Sequence, residues 1–222
     1  MCSSDLLAGL DLQLVLVEPA GPLNVGSVAR LCANFGVSGL RLVAPRCDPE
    51  DADALRMAMA GRPLLRRATH YPDLAAALAD RVRVVACSGR GAGEPWPPLP
   101  PRQALPLLLE GHGAAALVFG REDRGLSLDE LLLADRILTI PTPPGYASLN
   151  LSHAVAIVLH ALHGLGESGD GLPTPASPPT GSNAEPSARQ AAELADATRA
   201  EPAASWVSQP CPRGELDAAL AD

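Results

Sequence analysis

Three short segments of the chain combine glycines with charged, hydroxyl or amide side chains, the groups that bind phosphates, riboses and small polar ligands. The first segment covers residues 22–36 and reads PLNVGSVARLCANFG. In a helix, Gly26, Ser27 and Arg30 fall together on one side through their i,i+3 and i,i+4 spacing. Small residues beside an arginine near a helix start let a phosphate or ribose approach closely. An ordinary amphipathic helix with one solvated arginine fits the same letters, so both interpretations stay open.

The second segment, residues 116–127, reads ALVFGREDRGLS. Its apolar start predicts a strand that ends at Gly120, and Gly125 follows five residues later. Glycines at such positions allow a sharp turn or a close approach of the backbone to a ligand. Between them, Glu122 is suited to accept hydrogen bonds or to orient an arginine. Many strand–turn–helix units share this pattern, so it is weak evidence by itself.

The third segment, residues 140–162, places a loop rich in Pro and Gly between a predicted strand end at Ile140 and a long apolar helix. Ser148, Leu149 and Asn150 open that helix, where backbone N–H groups have no helical partner. A polar turn at this place suits the carboxylate or ribose of a small ligand. Ser148 or Asn150 equally fits the role of helix N-cap, the common reason for such residues there.

Two further groups bear on chemistry. Cys87, Ser88 and Gly89 follow another predicted strand, and loops after parallel strands meet at one edge of a sheet. They are therefore placed to offer backbone groups to the same crevice. His160 and His163 have a spacing that fits a metal ion, but no carboxylate or cysteine pair accompanies them. We interpret them as helix-surface residues and predict no metal site.

Composition excludes several classes of protein. The chain has 222 residues, 47% of them hydrophobic and 19% charged, which is typical of a globular domain with its own core. All 17 basic residues are arginine, which excludes Schiff-base lysines and the phosphate-binding lysine of P-loop enzymes. No apolar run approaches the ~18 residues of a membrane span. Residues 1–10 lack the basic start and long apolar stretch of a secretory signal.

The cysteines are scattered, odd in number and never spaced as CxxC; they are Cys2, Cys32, Cys47, Cys87 and Cys211. This pattern favours neither a zinc ribbon nor a disulfide framework. Cys32 and Cys87 lie in apolar contexts, and we interpret them as packing residues. We expect a reduced, cytoplasmic protein.

The formal net charge of −8 argues at first against a nucleic-acid partner. Its distribution weakens that objection, since residues 1–165 carry a net −2 and residues 166–222 a net −6. The acidity therefore lies mainly in the tail. RNA binding by the first part has to rely on local arginine patches, for which the candidates are Arg30, Arg56, Arg62, Arg66 and Arg67.

Alternating apolar and amphipathic stretches predict the elements that position these segments. Strands are expected over residues 12–17, 40–43, 82–87, 115–119 and 137–140. Helices are expected over residues 24–35, 49–60, 72–79, 102–110, 127–133 and 149–163, with Asn24 as the N-cap of the first and Gly36 as its left-handed stop. Such alternation predicts an α/β domain, a mostly parallel sheet with helices on both faces.

The chain changes character after the last predicted helix. Residues 1–165 carry all three segments and form the predicted domain. Residues 166–222 are rich in Pro, Gly and Ser and acidic, and we expect a flexible linker followed by a tail with at most one helix, over residues 187–199.

Taken in order and spacing, the three segments resemble the SPOUT superfamily of RNA methyltransferases, in its TrmH (SpoU) branch and TrmJ-like group. Three motifs and a mid-domain loop carry the resemblance: Asn24, Gly26, Ser27 and Arg30; Phe119 to Glu122 with Gly125 and Leu126; Ser148 to Leu151; and Pro95 to Pro97. Together they cover about residues 10–165. Where the group tends to have Thr-Ser-Ala after the third strand, this chain has Cys87, Ser88 and Gly89.

The resemblance implies a C-terminal trefoil knot, S-adenosyl-L-methionine bound within it, and a homodimer with sites at its interface. It places the cofactor against Cys87, Ser88, Gly89, Gly120, Ile140, Ala147, Ser148 and Leu149. It places Asn24, Arg30, Glu122, Ser148 and Asn150 around the reacting ribose. No metal and no membrane enter this scheme.

The implied activity is methyl transfer to a ribose 2′-hydroxyl of tRNA, at a cytidine or uridine in position 32 of the anticodon loop. Other tRNA positions and ribosomal RNA stay open, as does a non-catalytic RNA-binding protein that kept the fold. A nucleotide-dependent oxidoreductase is disfavoured because the G-x-G-x-x-G turn and its following acidic residue are missing.

Arg30 is the expected catalytic residue. A guanidinium stays protonated in proteins and is a poor general base. We therefore favour a clamp that binds the adjacent phosphate and stabilises charge developing on the ribose oxygen. The alternative, a base role assisted by phosphate, stays open.

Overall fold

A six-stranded parallel sheet forms the centre of the computed structural model, which describes residues 10–89, 97–110, 113–143 and 148–167. The strands are β1 Leu12–Val17, β2 Gly39–Val43, β3 Thr69–Tyr71, β4 Arg83–Cys87, β5 Ala115–Phe119 and β6 Arg136–Leu138. Their order across the sheet is β3-β2-β1-β5-β4-β6. The strands β2 and β3 therefore extend the sheet from β1 to one edge, and β5, β4 and β6 extend it to the other edge.

Eight α-helices connect the described strands: α1 Pro22–Asn34, α2 Ala52–Ala58, α3 Arg62–Arg66, α4 Leu74–Leu78, α5 Pro101–Ala104, α6 Pro106–Leu109, α7 Leu128–Leu131 and α8 Leu151–Glu167. A short 3₁₀ turn, Met59–Gly61, joins α2 to α3. Among these helices, none combines the length and apolarity that crossing a membrane requires.

Helices cover both faces of the sheet, as the sequence predicts. Side chains of β1 alternate between the faces, so that Leu14 and Leu16 join one buried cluster while Val15 and Val17 join the other. The first cluster contains residues of α1, α2, α3, α5, α6 and α8. The second is smaller and contains residues of α4 and α7. The mostly parallel α/β sheet is thus confirmed.

Several predicted bounds differ from the observed ones. The predicted helix over residues 102–110 is two short helices, because Pro106 lacks the N–H that would continue α5. The prediction over residues 49–60 shortens to α2 and the 3₁₀ turn. Both β3 and α3 are absent from the predicted elements. Each is only three to five residues long, too short for periodicity to register.

For Gly26, the structure favours a packing role over ligand approach, one of the two interpretations left open for this helix. Rather than opening space for a ligand, Gly26 is buried against α2, where an added Cβ would lie 2.2 Å from the carbonyl oxygen of Ala54. Gly61 makes a similar approach to α1, with its would-be Cβ 2.3 Å from the carbonyl oxygen of Ala29. Both glycines therefore let neighbouring backbones pack closely.

An ion-pair cluster stabilises the edge of the fold opposite the strand carboxyl ends. Asp80 accepts hydrogen bonds from Arg41 at 2.6 and 2.8 Å and from Arg81 at 2.7 and 3.0 Å. Arg41 first, and Arg81 second, hold the pKa of Asp80 well below its usual range. The charged form of Asp80 therefore stabilises the folded state.

We expect Asp80→Asn to lower the free energy of unfolding at pH 7 by about 1 kcal/mol, a modest value because Asp80 is itself solvent-exposed. Because the folded-state pKa is depressed, this contribution is present above the unfolded-state value of about 3.9 and fades as pH falls below it. Urea unfolding between pH 7 and pH 2 should show the two stability curves converging. Glu110→Gln, at an exposed helix end, is the control. Curves that stay parallel down to pH 2 would contradict the assignment.

Candidate functional site

A cavity of about 330 Å³ opens at the carboxyl ends of β4, β5 and β6. Its walls come from three turns and the start of α8, through Cys87, Ser88, Gly89, Phe119, Gly120, Arg121, Glu122, Asp123, Arg124, Gly125, Ile140, Ser148, Leu149, Leu151 and Ala154. The volume falls within the range of about 300–1,000 Å³ typical of small-ligand sites. The turns after β4, β5 and β6 therefore converge on one site, as predicted, whereas the first segment, residues 22–36, is not among its lining residues.

Most of the predicted cofactor residues line this cavity. They are Cys87, Ser88, Gly89, Gly120, Ile140, Ser148 and Leu149. Ala147 lies outside the described residues, as do Pro95 and Trp96. Ser88 N–H donates to the carbonyl oxygen of Leu138, 2.9 Å away, so the turn after β4 is fixed to β6.

The turn after β5 depends on a glycine at its first position. An added Cβ on Gly120 would lie 2.4 Å from the carbonyl carbon of Gly125 and 2.5 Å from the backbone nitrogen of Leu126. Both neighbours are backbone atoms, which cannot rotate away as a side chain can. Gly125 itself has φ +67°, in the left-handed region that glycine favours. The two glycines thus close the turn against the cavity.

Glu122 joins that turn to the start of α1. Its carboxylate accepts hydrogen bonds from the N–H groups of Ala20 at 3.1 Å and Gly21 at 3.1 Å, and from the side-chain amide of Asn24 at 3.2 Å. A carboxylate at a helix N-terminus is stabilised by the unpaired N–H groups and the helix dipole. Glu122 therefore both borders the cavity and supplies the cap that α1 otherwise lacks.

Asn24 is not the N-cap of α1, contrary to the prediction. The helix begins at Pro22 with Gly21 as its N-cap, because proline fits the first helical position. Asn24 instead lies in the first turn and donates its side-chain amide to Glu122. Gly36, with φ +68°, does act as the predicted left-handed stop.

Arg121 anchors the turn from the side away from Glu122. Its buried guanidinium forms ion pairs with Glu18 at the end of β1 and with Glu130 of α7, the latter at 2.8 and 2.9 Å. Glu18 first, and Glu130 second, raise the pKa of Arg121. Sequence reasoning missed this network. The available signal was an arginine between the two residues already singled out, Gly120 and Glu122.

Arg30 occupies the exposed side of α1 and is not among the residues that line the cavity. Within the ranges that the structure describes, its guanidinium takes part in no hydrogen bond or ion pair. An unpaired surface guanidinium is available to bind an anion. The structure therefore does not place Arg30 at the cavity wall with the predicted cofactor residues.

The start of α8 combines two of the predicted roles. Asn150 Oδ1 accepts hydrogen bonds from the N–H of Ser152 at 2.9 Å and from its hydroxyl at 2.8 Å. Asn150 is therefore the N-cap of α8, one of the two interpretations left open. Ser148 and Leu149, just before it, are exposed and border the cavity.

The predictions for the two cysteines in apolar contexts and for the two histidines have different outcomes. Burial raises the pKa of the Cys32 thiol to about 12, which agrees with a packing role, whereas Cys87 borders the cavity. His163 packs edge-on against Phe35, with ring centroids 5.9 Å apart, and His160 is exposed. Across the described part of the chain, no group of three or more His, Cys, Asp or Glu is arranged to hold a metal ion.

Two tRNA methyltransferases are similar in sequence to most of this domain. A tRNA (cytidine-2′-O-)-methyltransferase TrmJ from Methanocaldococcus jannaschii is 36% identical over 155 residues, which cover 68% of this chain and 67% of that protein. A tRNA (cytidine/uridine-2′-O-)-methyltransferase TrmJ from Pectobacterium atrosepticum is 39% identical over 152 residues, covering 68% and 63%. The chain thus spans about two thirds of the length of these relatives.

Solved structures have the same fold. The crystal structure of TrmJ from Z. mobilis ZM4 matches with a TM-score of 0.65 and 35% identity over 72% of each chain. A protein described by the 2′-OH methylation of C/U34 on tRNA matches with a TM-score of 0.57 and 29% identity, over 68% of this chain and 93% of that one. AviRb from Streptomyces viridochromogenes, solved with AdoMet, shares the fold at 21% identity and a TM-score of 0.57, over 72% and 62% of the two chains.

One protein family matches a range of residues that includes the sheet, the three turns and most of α8. The SpoU rRNA Methylase family matches residues 11–160. This range contains the cavity and all three sequence motifs. The chain therefore belongs to the SpoU rRNA Methylase family.

Proposed function

We propose that this chain is an S-adenosylmethionine-dependent RNA 2′-O-ribose methyltransferase that acts on tRNA. The observation that carries the proposal is the single cavity in which the turns after β4, β5 and β6 meet. Membership of the SpoU family and the names of the TrmJ relatives support the same activity.

The cavity fits the proposed cofactor in chemistry as well as size. Phe119, Ile140 and Leu151 offer apolar surface for a planar base, and the turns offer backbone groups for polar atoms. The same wall carries Arg121 and Arg124 beside Glu122 and Asp123, so charged groups of both signs are available to the polar ends of the ligand. When bound, S-adenosylmethionine supplies an electrophilic methyl group attached to a sulfonium.

The protein has to align the ribose and manage one proton, because the methyl group is already activated. In the proposed reaction the ribose 2′-oxygen would bond to the methyl carbon as the carbon–sulfur bond breaks, S-adenosylhomocysteine would leave, and the hydroxyl proton would pass to solvent. Arg30 binds the neighbouring phosphate and stabilises negative charge that develops on the 2′-oxygen. The ribose environment is assigned to Asn24, Glu122, Ser148 and Asn150. Glu122 holds Asn24 in place by accepting a hydrogen bond from its side-chain amide.

A homodimer completes this site in the proposal, since Arg30 lies off the cavity wall of its own chain. Exposed apolar side chains on and beside α1 and α8 support such an interface: Leu23 is 48% exposed, Leu149 36% and Ile157 42%. The proposal places Arg30 of one protomer beside the cavity of its partner. Their apolar character suits a permanent contact.

The proposal has three further parts. The proposal includes a C-terminal trefoil knot, for which the parallel bridge of Leu99 to Leu138, between the segment before α5 and β6, is compatible support. Residues 1–165 form the methyltransferase domain and residues 166–222 a linker and acidic tail. The enzyme acts in the cytoplasm, where its tRNA substrate is found.

The proposed target is a cytidine or uridine in the anticodon loop. Position 32 follows from the resemblance to the TrmJ-like group, while one structural relative is described by position 34. Ribosomal RNA is the alternative substrate, since the family description names it.

The test is to incubate the full chain with S-adenosylmethionine and total tRNA from cells that lack the gene, then to map 2′-O-methyl groups at single-nucleotide resolution. The expected result is one new modified position, at pyrimidine 32. Methylation at position 34 would change the target and keep the chemistry, and methylation of ribosomal RNA alone would overturn the tRNA assignment. Binding of tRNA without any methyl transfer would overturn the enzymatic proposal in favour of a non-catalytic RNA-binding protein.

A further inference from the structure

One continuous stretch of the chain has a charge opposite to that of the whole protein. Residues 54–72 contain Arg56, Arg62, Arg66 and Arg67 and not one Asp or Glu, although the full chain has a formal net charge of −8. The stretch forms most of α2, the 3₁₀ turn, α3 and β3. Asp48, Glu50, Asp51 and Asp53 immediately precede this stretch, so its positive field comes from the second half, from Arg62 to Arg67.

The fold places this stretch against the helix that carries Arg30. The would-be Cβ of Gly61 lies 2.3 Å from the carbonyl oxygen of Ala29 and 2.7 Å from the backbone nitrogen of Arg30. Arg62 follows Gly61 directly, so its backbone is adjacent to the part of α1 from which the Arg30 side chain extends. The start of α3 and the Arg30 side of α1 therefore form one surface.

The arginines of this surface are exposed and carry spare hydrogen-bond donors. Arg62 donates its Nε–H to the carbonyl oxygen of Leu55, 2.7 Å away, and this hydrogen bond fixes the side chain. The two terminal nitrogens of its guanidinium stay available to bind an anion. Within the residues the structure describes, the guanidinium groups of Arg66 and Arg67 have no hydrogen bond or ion pair. Arg56 differs, because it pairs with Asp53 at 2.8 Å.

Arginines elsewhere in the described domain are often neutralised. Arg41 and Arg81 are paired with Asp80, and Arg121 is paired with Glu18 and Glu130. Arg102 on α5 and Arg136 on β6 also lack an ion pair within the described residues, whereas Arg30, Arg62, Arg66 and Arg67 belong to two elements that pack together, α1 and the α3 segment. Paired arginines stabilise a fold, whereas a row of unpaired ones fits an extended anion.

We infer that Arg62, Arg66 and Arg67 form, together with Arg30, a docking surface for the phosphodiester backbone of the substrate RNA. The inference rests on the proposed function and deepens it, since it names where the RNA approaches the reacting ribose. A polyanion with regularly spaced phosphates matches several guanidinium groups along one surface. The RNA thus crosses α3 before it reaches Arg30.

The test compares tRNA binding by the full-length Arg66→Ala/Arg67→Ala double variant with that of the wild-type protein, over a range of salt concentrations. We expect the dissociation constant for tRNA to rise about tenfold or more, as for the loss of charge-assisted hydrogen bonds. The slope of log affinity against log salt should decrease by roughly 1.5 to 2, close to one unit per lost phosphate contact. The dissociation constant for S-adenosylmethionine should stay at the wild-type value.

Two matched variants separate a contact from general charge or folding effects. Arg102→Ala/Arg136→Ala removes the same charge from exposed positions on α5 and β6 and should bind tRNA as the wild type does. Arg66→Lys/Arg67→Lys keeps the charge and should recover most of the affinity, because phosphate binding tolerates a point charge.

A wild-type tRNA affinity and salt slope in Arg66→Ala/Arg67→Ala would overturn this inference, and so would an equal loss in the Arg102→Ala/Arg136→Ala control. A loss that Lys does not rescue would overturn it as well. These outcomes are distinct from failure of the proposed function, which would appear as absence of methyl transfer by the wild-type chain.

Discussion

Arg30→Ala is expected to reduce methyl transfer to tRNA by at least about 10²-fold, the usual cost of removing a group that stabilises transition-state charge. The dissociation constant for S-adenosylmethionine should remain within about twofold of wild type, because Arg30 is not on the cavity wall. Folding should be unaffected, since the guanidinium is exposed and makes no hydrogen bond or ion pair with the described residues. Single-turnover kinetics with saturating cofactor and tRNA measure the effect.

The matched variants for Arg30 are Arg30→Lys and Arg102→Ala. Lysine retains the charge and loses the planar fork, so it should recover only part of the rate. Arg102→Ala removes an exposed arginine from α5 and should turn over normally. Near-normal methyl transfer by Arg30→Ala would remove Arg30 from the chemistry, whether as clamp or as base.

Gly120→Ala is expected to weaken S-adenosylmethionine binding by at least about tenfold, and methyl transfer with it. The added Cβ would lie 2.4 Å from the carbonyl carbon of Gly125, so the turn after β5 has to move. Adding a methyl group to a well-packed site typically destabilises the packed arrangement by about 1–3 kcal/mol. The displaced turn carries Glu122, so the connection to α1 should loosen too. Calorimetric titration of the cofactor measures the loss.

The control for that substitution is Gly164→Ala in α8. An added Cβ there meets nothing within 4 Å, and alanine favours a helix interior over glycine. This variant should bind the cofactor as the wild type does and melt at the same or a slightly higher temperature. Wild-type cofactor affinity in Gly120→Ala would show that the turn after β5 does not form the binding site.

Sequence patterns anticipated the parts of this molecule that depend on local chain properties. Strand periodicity located β1, β2, β4 and β5, and the apolar run from residue 115 correctly ended at Gly120. Because carboxyl ends of parallel strands meet at one edge, the convergence of the turns followed from the fold class. The helix expected over residues 127–133 is also present as α7, where Ser127 forms a capping box with Glu130.

The features that the sequence did not indicate depend on contacts between residues far apart along the chain. Gly26 packs against Ala54, which no local pattern links to it. Asn24 has a typical N-cap residue type, yet Pro22 takes the first helical position and Glu122, 98 residues away, occupies its amide. The Arg121 pairs with Glu18 and Glu130 likewise join three separate elements. Such long-range pairs are decided by tertiary packing rather than by spacing.

The central claim is that the turns after β4, β5 and β6 hold the methyl donor beside an arginine that binds the RNA. A crystal structure of the full-length protein with S-adenosylhomocysteine tests it most directly. We expect the ligand in the cavity bounded by Cys87–Gly89, Gly120 and Ser148–Leu149, with its sulfur facing an Arg30 side chain of the same or the partner protomer. A ligand bound elsewhere, or a sulfur that no Arg30 can approach, would contradict the account.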